Sequence, residues 1–542
     1  MRPGPLASAA QPVTAWPRRG TIVTEEAERE PSLTVLWLWL LFSAEMLAFG
    51  LLRLPLALSF DSYAFADRGT FPTVCYLVTH GSRPAIDFGY LYGLLPILMT
   101  QGVFHLFRWA PVAQEAAMGI CGLVSTWGLA RFTATMRVRG IGIVLMLVAL
   151  PFTILASYPT FVHAMEAALL CNALAEQAAG RRPVALALAS AACLTKPSMG
   201  YVYGFVLLSL IVLDACRGGG NSRSGFRSVL RAVVPSALLG ALLVLVLAFT
   251  YGSGPLLRTV VPGSASLSYR HMGYGSVFYG GRNLWYRQQQ ALPFYLFTVS
   301  GFWIAATLWI IVAGTWAGSR VLLSFWNRSL PARSYELAAS CAALHLAFIT
   351  TFFGGPISWE YYSYVLVLGA ACTSVWEGRT RRVVSILAVL ALSGQTGHVA
   401  MAAKGWRTTA RVSNASRLWI SEEEDKAWRQ VLGAIRGQDA FALTSVGEVA
   451  VLFPQFRPPV GAFLTPGVAT EVELSQTMDA IRTAPATFAV TSGSLGYALD
   501  FFPHLRSELE THEVILEVIR PGGNFTVYGR PPVERGRAAE RQ

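Results

Sequence analysis

"FDSYAFADRGTFPTVCYLVTHGSRPAIDFGYLYGLLP", residues 60–96, stands directly behind a long apolar stretch and carries Asp61, Asp67, Arg68, His80, Arg83 and Asp87. The rest of the chain is oily. Of its 542 residues, 53% are hydrophobic and 14% charged, the balance of a protein whose solvent is mostly lipid. Ionisable groups gathered behind a first apolar helix read as one polar face of a polytopic membrane protein.

Working outward, apolar stretches near the ~20-residue length of a bilayer span recur at 33–57, 112–130, 140–158, 162–179, 183–197, 200–214, 232–250, 293–314, 336–353, 361–376 and 383–403. That pattern predicts about eleven transmembrane helices. The two stretches flanking Lys196 are short, so those helices tilt or one is partly re-entrant. Before residue 33 lies "TEEAEREPS", and the first apolar run lacks a small-residue cleavage site, so it reads as a retained span.

The basic residues set the orientation, because cytoplasmic loops hold the excess of them. With residues 1–32 as a cytoplasmic tail, Arg131, Arg137, Arg139, Arg181, Arg182, Arg217, Arg223, Arg227, Arg320, Arg379 and Arg381 all fall inside. The short outer turns near Tyr158 and Gly354 hold none. Residues 91–109 would reverse this frame if counted as a span, so they are laid in the outer interface as a juxtamembrane helix. Outer loops are then expected at 58–111 and 251–292, with the transmembrane domain covering 33–403.

From 404 the composition changes. "DKAWRQVLGAI" and "SQTMDAIRTA" read as helices, and "AFALTSV", "TFAVTSG" and "FTVYGRP" as strands. The expectation is a small extracytoplasmic α/β domain over 404–530 and a disordered end at 531–542. The fold class is thus an all-α polytopic membrane protein with a C-terminal α/β domain.

The net charge of +12 is scattered through short loops and forms no basic face, which argues against nucleic acid. Seven cysteines, six of them in or beside apolar segments, give neither a disulfide framework nor metal-ligand spacing.

Several residues stand out as chemistry. Asp61 and Asp87 share the first outer loop with Tyr63, Tyr90 and Tyr92. They are either solvated loop acids or carboxylates packed at membrane depth, where a raised proton affinity suits general-base work. Glu166 follows His163 by three residues, on one helix face at the outer start of the fourth span. It is either an interfacial helix-start acid or a cavity-facing one. Lys196 either snorkels to headgroups or pairs with a phosphate. Arg270, His271, Arg282 and Arg287 sit among aromatics in the second outer loop, which suits a membrane belt or a phosphate-and-sugar site. Glu360 and Tyr361 occupy a further outer turn. Glu45, midway along the first span, faces the bundle interior.

These stretches resemble the multi-spanning GT-C glycosyltransferases, in particular the protein mannosyltransferases and the aminoarabinose transferases of lipid A. "FDSYAFADRG" is similar to the first acidic motif of that group. "GSRPAIDFGYLYGLLP" resembles a run of many bacterial members, and "LTKPSMGY" resembles their lysine after a short span. Glu166 falls where they carry a second acid. The paired prolines after a lysine that mark the aminoarabinose group are replaced by "YLYGLLP", leaving sugar and acceptor open.

The resemblance implies inverting transfer of a sugar from a polyprenyl-phosphate carrier to a glycan, lipid or protein acceptor of the envelope. The protein would sit in a bacterial inner (plasma) membrane. Asp61 is the expected base, with Asp87 the alternative and Glu166 orienting a substrate. Lys196 and the second-loop arginines would hold the phosphate, with His163, Tyr63, Tyr90, Tyr92, Glu360 and Tyr361 lining the site. No cofactor is implied; a divalent metal ion is left open, with no residues assigned to it. A transporter or flippase of an anionic or lipid-linked substrate, or a non-catalytic envelope assembly protein, are the rival readings.

Overall fold

A computed structural model describes residues 32–151, 160–217, 222–261, 418–465, 468–491, 494–520 and 523–530, with the short pieces 319, 403, 406 and 411–412. The spans read at 293–314, 336–353, 361–376 and 383–403 fall almost wholly outside the described residues, as does the second outer loop from residue 262. The terminal segments 1–31 and 531–542 lie outside them too.

The first half is a helical bundle. The helices are α1 (Ser32–Ala57), α2 (Phe60–Ala64), α3 (Asp67–Thr79), α4 (Leu95–Leu106), α5 (Pro111–Thr135), α6 (Ile141–Pro151), α7 (Phe161–Ala178), α8 (Arg182–Cys193), α9 (Pro197–Arg217), α10 (Ser222–Tyr251) and α11 (Ser253–Val260). Seven of the sequence-predicted spans therefore fall on helices. Two of them, Leu33–Ala57 and Val229–Tyr251, are long and apolar enough to cross a membrane by length and composition. Their outward apolar side chains stay uncovered, Phe249 at 95% exposure, as expected for a lipid-facing helix. At 1.5 Å per residue the 12 residues of α8 reach only about 18 Å, short of a ~30 Å hydrocarbon core, whereas the 21 residues of α9 reach about 31 Å, so of the two helices flanking Lys196 only α8 is short.

Polar clips tie the bundle together. Ser43 Oγ meets Thr126 Oγ1 at 3.0 Å, and Asn172 Nδ2 donates to the Val124 carbonyl at 2.9 Å. At the end of α7 away from His163, Glu176 bridges Arg131 (2.7 Å) and Arg181 (2.5 Å). These arginines, which the orientation argument counts, close a structural ion network.

The stretch read as the loop 58–111 is mostly helical. Ser59 caps α2 by accepting from the Ser62 amide, and α3 buries Phe71, Val74, Cys75 and Leu77 despite Pro72 in its interior. Apolar spacing inside a polar-looking segment made those helices. Helix α4 lies within the 91–109 stretch, with Ile97 and Phe104 buried and Met99 and Leu106 exposed.

The tail begins with the short hairpin β1 (Arg411–Val412) and β2 (Trp419–Ile420). It continues with α12 (Glu422–Ala434), β3 (Ala440–Leu443), α13 (Val449–Leu452), α14 (Glu471–Thr483), β4 (Ala486–Val490), α15 (Ser494–Phe501), α16 (Pro503–Glu510), β5 (Glu513–Val518) and β6 (Phe525–Gly529). The sheet runs β3-β4-β6-β5, with β3 parallel to β4 across the α14 crossover and the remaining pairs antiparallel. Every helix and strand read from the tail sequence is present, and β1, β2, α13, α15, α16 and β5 are additions.

The tail's core is not its own alone. Phe60, Tyr63 and Ala64 of α2 are buried in the same cluster as Trp428, Phe453, Phe488 and Phe525. Phe60 lies 5.2 Å from Trp428, and Phe65 lies 5.2 Å from Phe525. The chain just behind the first span is thus a structural part of the tail, whereas sequence alone suggested a domain apart.

Candidate functional site

Residues 87–96 are placed from two sides. On the bundle side the Gly93 amide donates to the Thr195 carbonyl (2.9 Å) and the Leu95 amide to the Leu194 carbonyl (3.1 Å). A side chain at Gly93 would collide with the Leu194 carbonyl oxygen, so only glycine lets this segment reach the turn that carries Lys196. On the tail side the Gly89 amide donates to Glu473 Oε2 (2.7 Å), and Thr470 Oγ1 donates to the Asp87 carbonyl (3.3 Å). The tyrosines between these anchors have little freedom. Tyr90 donates its hydroxyl to the Gly93 carbonyl and meets Tyr92 edge-on at 5.9 Å.

Around that segment the structure gathers most of the described residues singled out from sequence. Tyr92 lies 5.5 Å from the His163 ring, edge to face, and His163 Nδ1 is 3.1 Å from Thr160 Oγ1. Lys196 Nζ stands 3.8 Å from Glu166 Oε2, with the Glu166 side chain only 1% exposed and that of Lys196 13%. A part-buried cation held beside a buried carboxylate next to an aromatic wall can receive an anionic oxygen and place it. Tyr90 also lines a cleft of about 900 Å³ with Ile86, Leu91, Arg258, Val261 and Val472. The cleft is mostly apolar and is lined by one guanidinium, which donates to the Ala85 carbonyl at 3.0 Å, and one carboxylate, that of Glu471. That composition suits a ligand with a long apolar part.

Two predicted acids do not join this cluster. Sequence reading expects Asp61, Asp87, Glu166 and Lys196 around one hollow. Asp61 instead faces the tail, where Arg520 Nη2 donates to both of its oxygens at 2.8 and 2.9 Å. Asp87 is taken by Arg83, with contacts of 2.9 and 3.1 Å from the guanidinium and 2.7 Å from the backbone amide. The Arg83 hydrogen bonds hold the Asp87 carboxyl below its ordinary range, which makes it a poor proton acceptor. Tyr63 is buried, donating to Glu115 (2.7 Å) and to the Pro111 carbonyl, so it braces α2 against α5 instead of lining a cavity. Burial, and next the Glu115 charge, push its phenol well above the ordinary range. Arg270, His271, Arg282, Arg287, Glu360 and Tyr361 lie outside the described residues.

Sequence reasoning missed the acids of the tail junction. Glu473 is almost wholly buried and accepts from the amides of Gly89, Ala462 (3.0 Å) and Phe463 (3.2 Å), yet burial raises its carboxyl to about 7. Glu448 is 1% exposed, and burial pushes it well above the ordinary carboxylate range. Both line a cavity of about 30 Å³ with Thr73 and Thr477, room for a single water. The available signal was an acid inside an apolar run, "GEVAVLF", and an acid three residues past a capping threonine, "TEVE". Among the described residues no three His, Cys, Asp or Glu side chains come together so as to hold a metal ion.

The fold is similar to that of a solved protein of known class. The structure of ArnT from Cupriavidus metallidurans bound to undecaprenyl phosphate aligns with 91% of this chain and 98% of its own, at TM-score 0.51 and 13% identity. The apo structure of the same protein aligns over 90% of this chain and 97% of its own, at TM-score 0.38 and 14% identity. No protein-family model and no curated protein sequence matches the chain.

Proposed function

We propose that this chain is an inverting glycosyltransferase that moves a sugar from a polyprenyl-phosphate carrier to an acceptor on the outer face of the membrane. The observation that carries this is the fold, shared over nearly its whole length with a protein whose structure holds undecaprenyl phosphate. The Lys196–Glu166 pair, its acid buried and its cation part-exposed, supports it with a cation placed for a phosphate. The apolar cleft beside Tyr90 would take isoprenoid or acceptor-lipid surface.

In this reading the acceptor hydroxyl oxygen attacks the anomeric carbon from the face opposite the phosphate. The bond from that carbon to the phosphate oxygen breaks, and its electron pair leaves with the polyprenyl phosphate. A carboxylate takes the hydroxyl proton. Asp61 is the base in this reading: an arginine holds it as one holds Asp87, but its side chain is 39% exposed against 24% for Asp87 and 1% for Glu166, and the donor would have to reach from the Lys196 pair to the tail-facing Asp61. Lys196 meets the charge growing on the departing phosphate, an interaction worth most in a site shielded from water. The N-terminus is cytoplasmic and residues 404–530 are extracytoplasmic.

The test is mass spectrometry of lipid-linked sugars and envelope glycans from cells with and without the chain. A sugar that accumulates on its lipid carrier and disappears from an envelope acceptor when the chain is absent supports transfer. Unchanged pools in both refute it.

A further inference from the structure

Asp61 sits on a helix that belongs to the tail's core, since Phe60 and Tyr63 on either side of it are completely buried there. Its carboxylate is held by a residue 459 positions away. Arg520, just past β5, is 6% exposed, lies 4.0 Å over the Phe525 ring and donates to both Asp61 oxygens. The same Nη2 is 3.3 Å from Glu424 Oε1. Glu424 is fixed in turn: its other oxygen accepts from the Ser421 amide (2.9 Å) while its own amide donates to the Ser421 hydroxyl (3.1 Å), a closed capping box. One guanidinium, locked on an aromatic face, thus serves two carboxylates. Arg520 and Glu424 are the charged groups that face Asp61 among the described residues.

We infer that the tail completes the reaction centre, with Arg520 the positioning residue that aims Asp61 and Glu424 the acid that holds Arg520 in place. A surface ion pair would not need this construction. Arg520 is desolvated, stacked and doubly engaged, while Asp61 keeps one open side. Both contacts run from one nitrogen, Nη2, which brackets the carboxylate and fixes its direction. Burial, and next the Asp61 charge, raise the Glu424 carboxyl, in keeping with two acids competing for one cation. This rests on the reading that Asp61 takes the acceptor's proton.

The experiment measures transfer by vesicles carrying the full chain, supplied with undecaprenyl-phosphate-linked sugars extracted from the same cells, as a function of donor concentration. Arg520→Gln is expected to lower kcat by about 10- to 100-fold, the scale of a misaimed reacting group, with KM for the lipid donor little changed. Arg520→Lys keeps the charge and recovers most of the rate. Glu424→Gln, which frees the guanidinium to turn, lowers kcat in the same way. If Arg520→Gln fails to accumulate in the membrane, Glu424→Gln decides, and wild-type kinetics from it overturn the inference. An inactive Asp61→Asn beside an Arg520→Gln protein with wild-type kinetics sinks the positioning role and leaves the proposed reaction standing. An active Asp61→Asn removes the base and the inference with it. Absence of transfer by the wild-type chain contradicts the functional reading itself.

Discussion

Glu473 offers the sharpest physical test of how the tail grips the membrane-adjacent segment. Its carboxyl is raised from an ordinary 4.5 to about 7, with burial as the main cause and four backbone hydrogen bonds opposing it. Between those two values the folded protein holds a proton that the opened junction releases. This contribution to stability is therefore complete below about pH 4.5 and declines as the pH rises towards 7. At about 1.4 kcal/mol per pH unit the full loss is about 3 kcal/mol, of which roughly 2.5 kcal/mol falls between pH 5 and pH 8. Glutamine matches the neutral acid in shape and does not titrate.

The assay is amide hydrogen exchange of peptides covering residues 85–92, including the Gly89 amide that Glu473 receives, in wild type and Glu473→Gln. The ratio of exchange rates between the two proteins is taken at each pH, which cancels the intrinsic pH dependence of exchange and the contribution of neighbouring Glu448. Wild type should lose protection relative to the variant by nearly two orders of magnitude between pH 5 and pH 8. A ratio that stays flat would mean the carboxyl is not enclosed at the junction, and the tail's grip on this segment would have to be sought elsewhere.

Three further outcomes follow from the geometry. Glu166→Gln removes an attraction of about 4 kcal/mol at 3.8 Å and an effective dielectric near 20, so the purified protein should lose about 3 kcal/mol or more of stability; unchanged thermal unfolding would show that the pair is solvated. Gly93→Ala drives a methyl group into the Leu194 carbonyl and should destabilise by about 1 to 3 kcal/mol while lowering transfer, because the turn bearing Lys196 must shift; normal melting and activity would show that the close approach is absent. Asp87→Asn breaks a pair whose Arg83 side chain is 63% exposed, so stability should change by less than about 1 kcal/mol and transfer should continue; abolished transfer in a stable variant would make Asp87 the base.

How much of this was legible in the sequence depended on range. Apolar runs gave the helices of the bundle, and the 12-residue α8 was visible as a stretch too short to span. Apolar patterning gave two helices and three strands of the tail. His163 and Glu166 meet because three residues separate them on one helix, and Lys196 follows directly from the end of α8. What stayed hidden is whatever depends on partners hundreds of residues apart. Asp61 with Arg520, Gly89 with Glu473 and Thr73 with Gly447 are joined across 459, 384 and 374 positions. No local periodicity encodes such pairs. The segment behind the first span looked like a polar loop because its apolar residues face the tail's core, and that core was not apparent until the chain was folded. Strand β5 escaped because its side chains are largely exposed, with Val514 and Ile515 uncovered at the sheet edge, so the buried-polar alternation that betrays a strand is missing.

The central claim is that a polyprenyl phosphate is held by Lys196 in this fold. Native mass spectrometry of the purified full chain titrated with undecaprenyl phosphate, for wild type and Lys196→Gln side by side, addresses it most directly. Saturable binding of the lipid by wild type, weakened at least about tenfold in the variant through loss of a charge-assisted contact, is the expected result. Equal binding by both proteins, or none by either, would contradict it.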